Sequence, residues 1–423
     1  MSPMLHRGRG CEPHSTRKRG IPLRYRLTLS RVCFTVFALI VVPQLASAQD
    51  SRAAEIAAEQ ARKAAELKPY QPSGAEKWAV KLRREFIDLP SGFYPYFGSV
   101  YSGGGFTLGA GFREYYGDRT HWDVKGLYSL KSYKFIEFST DSWGHAQGKM
   151  DLHGRIGWRD ATQVSYYGLG MSTVTDDRST FRLKQGYVGG NVDLRPVRYV
   201  VFGAAATYED YSMGSGQGNV PSIEEIFTPE TAPGLGVSPK YLHTTASGGI
   251  DSRAPGAGYA RRGGLYEVRY HNYADQDKTY SFDRADGEIA QHIPILRENW
   301  VISLHGLVQT TLNDNDQVPY FLLPSLGSGS TLRAYPSWRF RDRHSLLMSG
   351  EFRWIPNRLA IDMALFYDAG KVVPRWDDLS LKGLKSDVGI GIRFHGPVAT
   401  PLRIELAKGS EGMNLVFGGS AAW

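Results

Sequence analysis

Toward its C-terminus the chain alternates two residues at a time. Val388-Gly389-Ile390-Gly391-Ile392-Arg393-Phe394 puts a large apolar side chain at every second position, with glycine or arginine between. Leu402-Arg403-Ile404-Glu405-Leu406 repeats the pattern, as does Met413-Asn414-Leu415-Val416-Phe417, which runs on to the terminal Trp423. In Ile361 to Asp368 two aspartates fall on the polar parity. A period of two predicts strands with one apolar and one polar face. Long strands carrying charges on a single parity predict a transmembrane barrel, with lipid outside and a polar lumen. On that reading Glu351, Arg353, Asp362, Asp368, Asp387, Arg393, Arg403 and Glu405 face the lumen.

The first residues change the picture by supplying an export route. Residues 1–31 are basic, 32–42 are apolar, and Ala46-Ser47-Ala48 is a small-residue cleavage site, which together read as a secretory signal peptide over 1–48. Its long basic leader suggests a true start codon nearer Leu23. Without 1–48 the chain keeps 42 basic and 41 acidic residues, so the basic excess belongs to the leader and argues for no nucleic-acid partner. Both cysteines, Cys11 and Cys33, leave with it, which excludes a disulfide, a thiolate metal site or a Cys nucleophile in the mature chain. No run of about 18 apolar residues follows, so no transmembrane helix is expected.

Residues 49–92 read as a short helical N-terminal extension, periplasmic in this topology. Residues 50–68 are rich in alanine, and a second short helix over 75–88 aligns Trp78, Leu82 and Phe86 on one stripe. From Phe93 to Trp423 the chain is strands and turns. At roughly 20 residues per strand and connection this predicts an all-β, antiparallel barrel of about 16 strands over 93–423. Turns are expected at 409–411, 396–399, 356–357 and 297–298, with longer loops at 373–384 and 313–342. If the C-terminus is periplasmic, both longer loops fall outside the cell. A second long segment, 210–258, reads as a Gly-, Pro- and Ser-rich loop with one helical turn at 223–227.

Enzyme signatures are sparse. There is no nucleophile elbow, no zinc-protease motif and no phosphate-binding loop. Gly103-Gly104-Gly105 and Gly168-x-Gly170 are read as close-packed or bent strand. Ser303 and His305 share the lumen parity of strand 299–312, as Asp151, His153 and Arg155 share theirs, which leaves an embedded hydrolase as a minor alternative. A dispersed constellation carries more. Glu351 and Asp368 sit on the lumen parity of neighbouring strands and would repel unless a cation lies between them. Arg333, on the long loop, can bridge both with its planar fork.

This order resembles the barrel of the BamA/TamA outer-membrane assembly-factor superfamily, also called the bacterial surface antigen family. The residues carrying the likeness are the loop Leu326 to Tyr335, the strand Ser349-Gly350-Glu351-Phe352, the strand Phe366-Tyr367-Asp368-Ala369-Gly370, and Trp423. The resemblance implies that Arg333 is a loop-tip arginine, followed by the aromatic Tyr335, that folds back into the lumen. It makes Glu351 and Asp368 its partners, with Phe366 and Gly370 framing them. It makes Phe417 and Trp423 the C-terminal signal by which the cell's barrel assembly machinery recognises such barrels. Position 334 is Ala where the family usually has Gly. About 40 residues separate the expected cleavage site from the barrel, too few for the family's periplasmic POTRA repeats, so the chain resembles a short member. The expectation is a barrel in a Gram-negative outer membrane, with the lipid bilayer as partner, no cofactor, no enzyme activity, and a role in inserting or translocating proteins or lipids through a seam between first and last strands. A passive pore or structural barrel is the alternative.

Overall fold

Strand alternation builds nearly the whole of the computed structural model, which describes residues 52, 54–63, 74 and 91–418, less 97, 118–119, 254–259, 297, 314–316, 356–360 and 395–401. The expected signal peptide, the 75–88 helix, the 356–357 and 396–399 turns and Trp423 lie outside the described residues. The chain divides into two units, Met1–Ser73 and Gly74–Trp423. In the first, residues 54–63 are helical and exposed. Lys63 pairs with Glu59 one turn back at 2.9 Å, a contact worth a few tenths of a kcal/mol.

The second unit is a 16-stranded antiparallel barrel sheet. Its strands are β1 (Gly92–Tyr96), β2 (Thr107–Tyr115), β3 (His121–Ser129), β4 (Lys134–Gly144), β5 (Met150–Tyr166), β6 (Ser179–Leu194), β7 (Val200–Ser215), β8 (Lys240–Asp251), β9 (Gly263–Asp275), β10 (Phe282–Leu296) and β11 (Trp300–Thr311). After a long loop come β14 (His344–Trp354), β15 (Ile361–Val373), β16 (Lys385–Phe394), β17 (Leu402–Gly409) and β18 (Gly412–Gly418). The loop contains its own two-stranded pair, β12 (Ser325–Leu326) and β13 (Phe340–Arg341). Each main strand pairs with its neighbour in chain order, so the connections at one end are 97–106, 167–178, 216–239, 312–343 and 374–384, among shorter ones. The opposite end carries mostly short turns, as bacterial barrels arrange them.

Burial follows the predicted parity. Glu351, Arg353, Asp362, Asp368, Asp387, Arg393, Arg403 and Glu405 are all buried, whereas Phe352, Leu365, Tyr367, Val388, Ile390 and Ile392 between them are exposed. A Lys or Arg turned outward at mid-membrane costs about 2–4 kcal/mol, which fixes the register of every such strand.

Two readings of the sequence are corrected. The segment 210–258 is not one loop: β7 continues to Ser215 and β8 begins at Lys240, leaving 216–239. Strand β8 is rich in Thr, Ala, Ser and Gly, so its alternation is muted, yet Leu242 and Ile250 point outward as the pattern demands. The helical turn is present as Ile223–Ile226, closed by a capping box between Ser222 and Glu225. Gly103 and Gly168 lie in connections with φ of +90° and +93°, so they turn the chain and are not bent strand.

Candidate functional site: a clasp in the lumen

The long loop, 312–343, turns back into the lumen and packs against its wall. Val318, Tyr320, Phe321 and Leu323 join Tyr166, Phe181, Tyr241 and Phe282 of the wall in one apolar cluster. Leu326, Leu332, Tyr335 and Phe340 form a second with Leu347, Phe366 and Val372. A polar lumen does not suggest such apolar packing. The signal for it was the run Val318-Pro319-Tyr320-Phe321-Leu322-Leu323, apolar within a loop.

At the loop tip Arg333 is about 1% exposed. Its Nε and Nη2 donate to Asp368 Oδ2 and Oδ1 at 2.7 and 2.8 Å, a two-pronged bond. Its Nη1 donates to Glu351 Oε1 at 2.7 Å and to Glu405 Oε1 at 3.2 Å. The guanidinium lies over the Phe366 ring, 3.5 Å from its centroid. The structure thus brings together Arg333, Glu351, Asp368 and Phe366. Glu351 and Asp368 converge because β14 and β15 are paired and both residues face inward; the register sets Glu351 opposite Phe366 and Ser349 opposite Asp368. Gly370 leaves space for the loop: a methyl there would meet Leu326 Cδ1 and Leu346 O, each at 2.8 Å.

Three residues that sequence reasoning placed on the lumen face, without assigning them to the clasp, complete it. Arg393 donates to Glu351 through Nη1 at 2.8 Å and Nη2 at 2.5 Å, and through Nη2 to Glu405 at 2.7 Å. Arg403 donates to Glu405 Oε2 at 3.1 Å. Three guanidinium groups therefore face Glu351, Asp368 and Glu405, so each of these carboxylates has a cation beside it. That pairing offsets the desolvation of so many buried ions. Asp387 accepts the Ala334 backbone N–H at 3.1 Å, so alanine at this position still presents its amide to the wall.

The tip also reaches both ends of the sheet. Toward the last hairpin, Asn414 Nδ2 donates to Arg333 O at 2.8 Å, Tyr335 Oη lies 3.0 Å from Ser410 Oγ, and Arg339 Nε donates to Glu411 at 2.8 Å. A methyl on Gly409 would press on Ala334 and Tyr335, each at 3.1 Å. Toward the first hairpin, Trp338 stacks on Tyr101 at 5.0 Å and donates from Nε1 to Ser102 O at 3.0 Å. Among the described residues no ladder joins β18 to β1, although Phe417 and Phe106 meet edge to face at 6.5 Å. Arg339 and Arg341 escaped sequence reasoning. Arg339 also binds Thr173, and Arg341 donates to Tyr320 O at 2.8 Å, which ties the loop to the 167–178 connection and to itself.

The Ser303–His305 pairing does not form. Ser303 Oγ is 2.9 Å from His292 Nδ1 and takes an N–H from Arg353 at 3.3 Å, while His305 Nε2 lies 3.1 Å from Glu288. Both Ser303 and His292 are buried. Asp151 instead holds Arg195, and His153 holds Asp141.

Known proteins bear on this geometry at two levels. Residues 260–417 match the model of the Omp85 superfamily domain. The crystal structure of BamA from Haemophilus ducreyi lacking POTRA domains 1–3 is similar over 77% of this chain and 68% of that one, with TM-score 0.53 and 15% identity. Pseudomonas aeruginosa OccK10 (OpdN) aligns over 74% of this chain and 90% of that one at 9% identity, with TM-score 0.31, too low to bear on the fold. No curated protein matches the sequence. The stretch matched by the family model contains the whole loop, both clasp strands and most of the last hairpin. Residues 260–417 thus resemble the Omp85 superfamily domain, and the fold of the chain is similar to that of the BamA barrel.

Proposed function

We propose that this chain inserts or translocates proteins or lipids in a Gram-negative outer membrane, working through the seam between β1 and β18. The observation that carries the reading is the loop tip's double attachment. Residues 333–339 bind the last hairpin through Ser410, Glu411 and Asn414, and the first connection through Tyr101 and Ser102. A seam without a described ladder is held by contacts that can be undone one by one. Arg333, Tyr335, Glu351, Phe366, Asp368 and Gly370 act as the latch for that loop. Residues 1–48 act as signal peptide, 49–92 as a periplasmic extension and 93–423 as the barrel domain, with Phe417 and Trp423 as its insertion signal for the assembly machinery.

The passive pore is the second reading, and the loop packed inside the lumen opposes it. The test uses the full chain in vesicles, where both the folding rate of an added unfolded barrel protein and the exchange of a fluorescent lipid between leaflets are followed. We expect at least one rate to exceed that of empty vesicles and to fall when Phe106→Cys and Phe417→Cys are bridged by a bismaleimide. Rates equal to empty vesicles, or steady porin-like conductance, would support the passive reading.

A further inference from the structure

A notch opens in the barrel rim where β16 rises past the end of the final hairpin. Asp387 pairs with Gly409, the last residue of β17, so Lys385 and Ser386 stand beyond the Ser410–Glu411 turn. The notch holds a cavity of about 490 Å³, lined by Tyr335, Tyr367, Lys385, Val388, Lys408 and Ser410 among others. Its outer wall is one register row: Tyr367 pairs with Val388, and Val388 with Lys408. All three are outward positions, and Tyr367 and Val388 are more than half exposed. Its back is the loop tip, because Gly409 has no side chain to screen Tyr335. Neither lysine has a carboxylate partner among the described residues, and Asp387, the acid lining the cavity, already holds the Ala334 amide.

An outward lysine one rung from a strand end sits where the side chain can lie on apolar surface with its ammonium at headgroup level. Basic pockets at that level take phosphorylated headgroups. We propose that this notch binds the phosphate-bearing headgroup of an outer-leaflet glycolipid, with Lys385 and Lys408 on the phosphate, Ser410 on the sugar, and an acyl chain along Tyr367 and Val388. The bound headgroup abuts Tyr335, so it reaches the clasped loop from the membrane side. The assignment rests on the outer-membrane reading above and names a ligand for the same loop.

The test is native mass spectrometry of the full chain, extracted in mild detergent and offered diphosphoryl lipid A, phosphatidylcholine or inorganic phosphate. Lipid A should stay bound, and retention should fall about tenfold or more in Lys385→Ser/Lys408→Ser. Lys134→Ser alters an exposed lysine opposite Tyr128 at the same rim and should change nothing. Heat-modifiable mobility on gels checks that each variant is a folded barrel. Equal retention in wild type and the double variant, equal loss in Lys134→Ser, or displacement of lipid A by inorganic phosphate would overturn the assignment. The vesicle assay without lipid A reports separately on the seam, so a failed lipid site and a failed translocation reading are distinguishable.

Discussion

Arg333 grips Asp368 with two parallel hydrogen bonds, 2.7 and 2.8 Å, across 35 residues of chain. The same guanidinium holds Glu351 and rests on Phe366. A lone charge-assisted bond would tolerate sliding, whereas a fork fixed on both edges and one face does not.

Removing that guanidinium strands Asp368 in a buried site, while Glu351 keeps Arg393. Breaking a buried ion pair costs about 3–5 kcal/mol. In Arg333→Ala we expect the loop to open by that margin while the strands persist. Limited proteolysis should show new cuts confined to 312–343, with strand content by circular dichroism unchanged. Arg333→Lys should restore protection in part, because an ammonium lacks the planar fork.

Phe366 supports the clasp from beneath and is buried against both Arg333 and the loop's apolar cluster. Phe366→Ala should cost about 3–5 kcal/mol as a cavity, and Phe366→Leu less. Chemical denaturation followed by heat-modifiable gel mobility measures it. A Phe366→Ala barrel as stable as wild type would show that the ring carries no load.

Gly370 tests the fit of the loop against the wall. A methyl there meets Leu326 Cδ1 and the Leu346 carbonyl. Gly370→Ala should therefore unseat Leu326 at a cost of about 1–3 kcal/mol and raise hydrogen exchange in β12 and β13 ahead of the strands. Exchange rising first in β15 itself would place the damage in the wall instead.

The fold was legible because lipid and lumen sort side chains by parity. In β15 to β17 every predicted lumen charge is buried, while Met363, Leu365, Tyr367, Val388, Ile390, Ile392 and Leu406 on the other parity are exposed. Strand β8 was hard to read because Ala246 and Gly248 occupy outward positions where Leu or Ile would have marked the period. The clasp was half legible. Parity brought Glu351 and Asp368 together and called for a bridging cation, for which Arg333 was the candidate, and the resemblance placed Arg333 at the loop tip. Glu405 and Arg393 were placed on the correct face, but the reach of Glu405 to Arg333 and of Arg393 to Glu351 depends on how the barrel curves, which no local pattern encodes. Arg339 and Arg341 lie in a loop without periodicity, where nothing in the sequence tells a buried cation from a solvated one.

Orientation toward lipid is a separate expectation. No cysteine occurs between residues 49 and 423, so single cysteines report cleanly. A lipid-phase maleimide should label Ile390→Cys and Leu365→Cys, both exposed, and leave Ala364→Cys untouched. Labelling of residue 364 with 365 protected would invert the wall.

The central claim is that the Arg333 clasp holds the loop against the last hairpin. Spin labels at Ser330→Cys and Met413→Cys, one on the loop and one on the outward face of β18, read it most directly through their distance distribution in detergent or nanodiscs. The account predicts a single narrow distance in the otherwise unaltered chain and a broad, longer distribution once Arg333→Ala is added. Identical narrow distributions with and without Arg333 would contradict it.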